Sequence, residues 1–313
     1  IGGSAIDTLV GGAGDDKFVV QASEFGDGYG EQVNLTTATG KHIAIDSWFP
    51  GVAYADRMEG GEGTDTLSLN PANYRFVSYV INGGLLSGIE TLELVQYDFS
   101  DVYVFMDVST FEQLSSVNRV EVASGGYSAP QASLYLAGDG DDLSFETLEA
   151  DNIFGRLYLY GTFGEIDARS YTGHEVSVYD FDDVTLSDGN NQLLVYGDHI
   201  FDVSAGAGDD TVKLYQDGSA WATSGYGQLS GSLDGGGGTD ELNLTEVEFI
   251  DLSDATITGF ETVRHGLSTL VITEDQKENL SFDGSGAIYT RVGTALVGTA
   301  GDDSYAGSGT ESF

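Results

Sequence analysis

The feature that most constrains the fold of this chain is a nine-residue pattern, Gly-Gly-x-Gly-x-Asp-x-apolar-x. Three segments match it fully: GGAGDDKFV (11–19), GGEGTDTLS (60–68) and GGGGTDELN (235–243). Three more depart from it at one glycine: GGSAIDTLV (2–10), AGAGDDTVK (205–213) and GTAGDDSYA (298–306). Glycine allows positive φ, and the apolar eighth residue is expected to begin a strand that faces a core. The pattern predicts tight turns that each lead into a β-strand.

The chemistry of these turns is that of a calcium site. A turn without side chains directs backbone carbonyl oxygens inward, and the sixth-position aspartate adds a carboxylate. Ca²⁺ binds six to eight such oxygens, and this nonapeptide is a calcium-binding β-helix repeat. One copy supplies only part of a shell, so the turns must stack. Gly-Asp-rich segments also form plain turns, and that alternative stays open for an isolated copy.

The candidate calcium ligands are the acidic side chains and the carbonyl groups of these turns. The consecutive copies in 2–19 place Asp7 and Asp16 at sixth positions, which makes them the best predicted pair. A poorer match, AGDGDDLSF (137–145), has Ser144 where the apolar residue belongs and is either a site or a plain turn. The predicted metal-binding residues are Asp7, Gly11, Ala13, Gly14, Asp15, Asp16, Gly60, Glu62, Asp65, Asp141, Asp142, Asp209, Asp210, Gly235, Gly237, Asp240, Asp302 and Asp303.

These motifs resemble the RTX (repeats-in-toxin, or hemolysin-type) family of calcium-binding proteins. The resemblance implies type I secretion from a Gram-negative bacterium and folding outside the cell when calcium binds. The family includes toxins, proteases, lipases, adhesins and S-layer proteins, so the motif does not define an activity. The copies here are dispersed among strand-like segments, which resembles calcium-dependent S-layer proteins and large surface adhesins more than the uninterrupted arrays of toxins.

The charge of the chain limits its partners. It has 51 Asp and Glu against 11 Lys and Arg, a formal net charge of −40. Such a surface repels nucleic acids and anionic membranes, and it repels itself unless cations bind. The 40% hydrophobic content is enough for a core, and the absence of cysteine excludes disulfides and thiolate metal sites. No signal peptide and no apolar run of membrane-spanning length are visible.

A second repeat predicts how the strands are arranged. Five segments alternate apolar residues and close with Gly or Asp: SLYLAGD (133–139), RLYLYGTF (156–163), EVSVYDFD (175–182), QLLVYGD (192–198) and TVKLYQDG (211–218). Such alternation is typical of strands with one buried face. The recurrence predicts an all-β fold, a calcium-bound right-handed parallel β-solenoid (β-roll or β-helix) with loop insertions and short helices. An antiparallel sandwich has similar strand spacing and is the alternative.

The chain divides into four predicted regions: N-terminal nonapeptide turns (1–19), a loop-rich insertion (20–58), the solenoid (59–296) and C-terminal turns (297–313). The Gly- and Ser-rich segment 217–234 is expected to be a long loop. Ser109 and Thr273 each precede Glu or Gln by three residues, which predicts either a helix N-terminus or a polar corner. Both ends lie in repeat sequence, so we expect a longer chain or units that assemble end to end.

No catalytic motif is apparent, and we expect no enzymatic activity from these residues. His199 beside Asp198 is interpreted as a surface or structural histidine. The tyrosines recur at matching places in the repeated strands, at 135, 158, 160, 179, 196 and 215. They are expected to form an aromatic ladder that links neighbouring strands, with sugar stacking as the alternative.

The sequence therefore predicts a secreted calcium-binding structural protein of the bacterial cell surface, in an S-layer, a filament or a matrix. Its expected partners are copies of itself and a cell-surface polysaccharide, without nucleic acid or membrane insertion. Two alternatives remain open. The chain is a repeat module of an adhesin, or it is the calcium-binding tail of a secreted enzyme or toxin.

Overall fold

A computed structural model describes residues 8–21, 31–49, 52–54, 56–71, 76–97, 101–122, 132–145, 154–196, 201–215, 227–292 and 295–297. The turns at Asp7, Asp302 and Asp303 and the His199 dyad lie outside these residues. The chain forms two compact units, residues 1–176 and 177–313, a division that the sequence did not predict. Within the described residues, no helix is long and apolar enough to cross a membrane.

The described part of the first unit contains fifteen strands and one helical turn. They are β1 (Thr8–Ala13), β2 (Lys17–Gln21), β3 (Glu31–Thr36), β4 (His42–Phe49), β5 (Val52–Tyr54), β6 (Arg57–Glu62), β7 (Thr66–Asn70), β8 (Phe76–Ile81), β9 (Leu86–Ser87), β10 (Thr91–Tyr97), β11 (Asp101–Asp107), α1 (Val108–Phe111), β12 (Ser116–Val122), β13 (Ala132–Ser144), β14 (Phe154–Asp167) and β15 (Glu175–Val178), the last of which crosses into the second unit.

The remaining elements of the second unit are also mostly strands. They are β16 (Phe181–Thr185), β17 (Gln192–Tyr196), β18 (Asp202–Ser204), β19 (Thr211–Tyr215), β20 (Gly227–Asp234), β21 (Glu241–Glu246), β22 (Phe249–Thr258), β23 (Thr262–Gly266), β24 (Thr269–Ile272), α2 (Glu274–Asn279), β25 (Phe282–Gly284), β26 (Ile288–Val292) and β27 (Ala295–Val297).

Parallel pairing dominates both units, which confirms an all-β parallel fold and contradicts the antiparallel sandwich. In the first unit, β1, β6 and β9 form one parallel sheet and β2, β7, β10 and β12 form another. In the second unit, each strand from β16 to β24 pairs with the second strand after it, as β17 does with β19 and β18 with β20. Antiparallel pairing occurs at β3–β4 and β26–β27.

The register stacks equivalent repeat positions above one another, and this builds the core. Leu193, Val212, Leu242 and Val263 lie at paired positions in β17, β19, β21 and β23, and all four are fully buried. Two of them are eighth residues of nonapeptides, as the pattern predicted. Leu136 pairs with Leu159, and Val195 with Leu214, so these predicted strand repeats are also confirmed.

Two segments predicted as loops contain strands. The insertion at 20–58 contains the β3–β4 hairpin, whose Val33, Leu35 and Ile45 pack in a buried cluster with Phe105 and Tyr135. The segment 217–234 ends in β20, where Leu229 and Leu233 are buried. In both segments, hairpin or parallel pairing produces a strand. Their few apolar residues lie among polar ones, so the sequence pattern did not predict these strands.

The two predicted capping signals had different outcomes. Thr273 is the N-cap of α2 and forms a full capping box with Gln276. The helix near Ser109 begins two residues earlier than expected, after Asp107. The Asp107 carboxylate accepts hydrogen bonds from the hydroxyl groups of Ser109 and Thr110.

Candidate calcium-binding turns

Nonapeptides that are far apart in sequence are neighbours in the structure. The turn at 11–16 stacks on the turn at 60–65, since Gly14 N donates to Glu62 O (2.7 Å) and Thr66 N donates to Asp16 O (2.9 Å). The turn at 205–210 stacks in the same way on the turn at 235–240, and Gly208 N donates to Gly237 O (2.7 Å). The stacking that a shared metal site requires is therefore present in each unit.

Glycine is needed in these turns because the backbones approach closely. At Gly208 φ is +134°, and a Cβ there would lie 2.6 Å from Gly189 O in the adjacent turn. The second and fourth positions of all four described copies have positive φ. These are two of the three glycine positions of the pattern.

The sixth-position aspartates form two rows linked by side-chain to backbone hydrogen bonds. In the first row, Asp16 N donates to Asp65 Oδ1 (2.8 Å) and Asp65 N donates to Glu90 Oε2 (2.8 Å). The second row runs from Asn191 through Asp210 and Asp240 to Glu261, with N–H to oxygen distances of 2.7, 2.8 and 2.6 Å. One carboxylate oxygen of Asp65, Asp210 and Asp240 is thereby engaged.

The other carboxylate oxygen of each aspartate has no partner. Oδ2 of Asp16, Asp65, Asp210 and Asp240 is buried and makes no hydrogen bond. Asp65, Asp210 and Asp240 are 0%, 2% and 1% exposed as whole residues. Burying an unpaired carboxylate costs several kcal/mol unless a cation or donor compensates it. The same arrangement recurs at four equivalent positions, two in each unit, and a cation bound there would compensate the charge.

A backbone carbonyl oxygen lies near the side chains of Asp16, Asp65 and Asp240. A Cβ at Gly11 would lie 2.5 Å from Asp16 Oδ2 and 2.7 Å from Gly60 O, so both oxygens border the same small space. A Cβ at Gly60 would overlap both Asp65 Oδ2 and Gly88 O. Gly259 O stands in the corresponding place beside Gly235, above Asp240. Every polar atom identified at these points is an acceptor, which is the donor set that fits Ca²⁺.

The charge environment of the second row also favours a cation. Burial raises the pKa of Asp210 and Asp240 above the ordinary aspartate value, and the charges of neighbouring carboxylates raise both further. Among the described residues, no three His, Cys, Asp or Glu side chains come together as a metal-binding group. An ion held here would therefore take most of its ligands from backbone carbonyls.

Several predicted ligands have other contacts. The fifth-position carboxylates of Asp15 and Asp209 are exposed, and they accept the backbone N–H of Thr64 (2.9 Å) and Thr239 (3.0 Å). The third-position carbonyls of Glu62 and Gly237 accept backbone N–H groups from the stacked turn. The third-position residue Ala13 pairs with Glu62 across β1 and β6.

The turn at Asp141 and Asp142 differs from the four others. Asp142 is exposed and its Oδ1 accepts Glu165 N (2.9 Å), while Asp141 Oδ2 accepts Asp139 N (2.8 Å). Leu143 and Phe145 are buried and Ser144 is exposed, so the strand is out of phase with the nonapeptide. No buried unpaired oxygen is found at this turn.

Sequence reasoning missed three members of the rows, Glu90, Glu261 and Asn191. The signal for the glutamates was present, because a Gly-Ile/Phe-Glu-Thr segment follows two of the nonapeptides: GIET (88–91) and GFET (259–262). Asn191 follows a turn, SDGN (187–190), that matches the nonapeptide only at its fourth-position glycine.

In comparisons with protein families, curated proteins and solved structures, no match to this chain was found.

Proposed function

We propose that this chain is a calcium-stabilised parallel β-solenoid that serves as a structural protein of the bacterial cell surface. The observation that carries the proposal is the set of four buried, unpaired Oδ2 atoms at Asp16, Asp65, Asp210 and Asp240. Asp65 and Asp240 are the central ligands, with the carbonyls of Gly88 and Gly259 beside them. Bound Ca²⁺ supplies the positive charge that these turns lack.

The donor set favours calcium over other divalent ions. Zinc prefers nitrogen and sulfur ligands, and magnesium retains water and requires near-octahedral geometry. Carboxylate and carbonyl oxygens in a glycine turn are typical of calcium sites. The alternating strand pairing of the second unit, in which each strand from β16 to β24 pairs with the second strand after it, supports the solenoid.

A structural role follows from the repetition of the sites. The candidate ligands recur along both rows of sixth-position aspartates, as expected when bound ions stabilise a fold. Extracellular calcium sites typically have dissociation constants of about 10⁻⁴–10⁻³ M, so such sites fill outside a cell and empty in the cytosol. The net charge of −40 also favours calcium bridging between copies. The resemblance to secreted calcium-binding repeats supports export and assembly at the surface.

Calcium titration of aspartate variants tests the binding proposal. Asp65→Asn and Asp240→Asn keep an oxygen for the backbone N–H but remove the carboxylate charge, so each should bind fewer ions than the parent. At calcium 100-fold above the dissociation constant, the loss of one site should cost about 2.7 kcal/mol of unfolding free energy. Asp142→Asn is the matched control, because its carboxylate is exposed, and it should bind as the parent does. Equal stoichiometry for all four proteins would contradict the proposal.

Electron microscopy of the full chain with calcium and with chelator tests the assembly proposal. Ordered sheets or fibres that form only with calcium would support the structural role. Single particles in both conditions, despite bound calcium, would contradict self-assembly and favour the adhesin or tail alternatives.

A further inference from the structure

The first residue of the second row is an asparagine with an unusual set of contacts. Gln192, the residue after Asn191, pairs with Thr211, and Thr211 pairs with Glu241. Asn191 therefore occupies the position that Asp210 and Asp240 occupy in the next two turns. The residue is 7% exposed.

The Asn191 amide nitrogen lies among four oxygens. Nδ2 is 2.7 Å from Ser187 O, 2.6 Å from Gly189 O, 3.3 Å from Ala205 O and 3.2 Å from Asp210 Oδ1. The amide oxygen accepts the Ser187 hydroxyl group at 3.0 Å. This assignment of nitrogen and oxygen follows from the surroundings, since the three carbonyl groups require a donor.

The equivalent atom at the aspartate positions is an oxygen without a donor. Asp210 Oδ2 and Asp240 Oδ2 are buried and unpaired. A Cβ at Gly235 would lie 2.5 Å from Gly259 O and 2.9 Å from Asp240 Cβ, so this carbonyl oxygen lies near the Asp240 side chain. The turn at Asn191 thus has an N–H donor at the position where the aspartate turns have an unpaired carboxylate oxygen.

We propose that the Asn191 amide takes the place of a calcium ion and closes this end of the second row without metal. The inference rests on the proposed calcium sites and specifies where they stop. Asn191→Asp would replace the donor with an acceptor among three carbonyl groups and should create one additional calcium site. Asp210→Asn should do the reverse and supply an internal donor at the next turn.

Calcium stoichiometry of the full chain, measured by equilibrium dialysis with Ca²⁺ alone, tests the inference. Asn191→Asp should bind one more ion per chain than the parent. Asn190→Asp is the matched control, because it adds the same charge one residue away, at an exposed side chain whose oxygen accepts Asp209 N, and it should bind as the parent does. Binding by the parent with no increase in Asn191→Asp would overturn the inference alone, whereas no binding by the parent would overturn the proposed function.

A second measurement applies even if Asn191→Asp does not fold. In chelator, Asp210→Asn should unfold at a higher urea concentration than the parent, because its amide supplies the missing donor. An unfolding midpoint equal to or below that of the parent would contradict the proposed role of the amide.

Discussion

At Gly236 the backbone has a φ of +87°, and a Cβ would overlap the carbonyl oxygen of Gly206 in the stacked turn. The next residue, Gly237, has no positive φ, and a Cβ there would meet nothing within 4 Å. Two adjacent glycines of one motif therefore have different roles. Glycine is required at position 236 because the turns stack closely there. At position 237, neither the backbone conformation nor a lack of space requires glycine.

This contrast gives a matched pair of substitutions. Gly236→Ala should lower the unfolding free energy by about 2 kcal/mol or more, from the left-handed conformation and the overlap together. Gly237→Ala should change it by less than about 0.5 kcal/mol, since its backbone hydrogen bonds are retained. Urea denaturation in calcium measures both, and an equal effect of the two variants would show that the turns do not stack closely.

The buried aspartates predict opposite pH dependences with and without calcium. Burial raises the pKa of Asp210 and Asp240 in the folded chain, so without calcium the folded state binds more protons than the unfolded state. Its unfolding free energy should then increase as the pH falls from neutral towards about 4. With calcium bound, protons compete with the ion, and stability should decrease over the same range.

Denaturation of calcium-depleted and calcium-loaded protein at several pH values measures both slopes. The double variant Asp210→Asn, Asp240→Asn is the control for the other carboxylates, and its calcium-free slope should be smaller than that of the parent. Slopes of the same sign with and without calcium would contradict the prediction.

At the scale of elements, parallel strands align identical side chains into columns. Tyr179, Tyr196 and Tyr215 stack in succession in the second unit, with ring centroids 4.8 and 4.6 Å apart, and Tyr135 stacks on Tyr158 in the first unit at 4.5 Å. The predicted aromatic ladder is confirmed at these residues. The ladder links strands that are separated by 17 to 23 residues in the sequence.

The middle ring of the second-unit column offers a direct test. Tyr196→Ala removes two stacked contacts and should lower the unfolding free energy by about 1–3 kcal/mol. Tyr196→Phe keeps both rings in place and should lose much less. Chemical denaturation of both variants in calcium measures the difference, and an equal loss would assign the stability to the hydroxyl group rather than to stacking.

At the scale of the whole molecule, buried unpaired carboxylate oxygens occur in both units. The chain also has 51 acidic residues and only 11 basic ones. Without calcium, each unit holds buried negative charge within a chain that repels itself. Calcium bound at the proposed sites would relieve both effects, whereas monovalent salt would screen only the exposed charges.

Removal of calcium should therefore abolish the β-type circular dichroism of the chain. Returning calcium in the millimolar range should restore it, while magnesium at the same concentration or added NaCl should restore much less. Thermal melts in each condition provide a second readout. A spectrum unchanged by chelator would show that the fold is stable without the ion.

Much of the local structure was predictable from the sequence. The glycine turns, the buried eighth residues and the α2 capping box follow from short-range rules of backbone conformation. The β3–β4 hairpin and the strand at Gly227–Asp234 were not predicted, because their burial depends on distant partners such as Phe105 and Tyr135.

The sequence by itself determined which residues turn, which face the core and which carry the candidate ligand charge, because each depends on neighbours within one nonapeptide. It did not determine which turns meet. Asp16 lies beside Asp65, 49 residues away, and Asp210 lies beside Asp240, 30 residues away. Only tertiary stacking decided that the aspartates share rows with Glu90, Glu261 and Asn191, since strand register sets these contacts across intervening segments of unequal length.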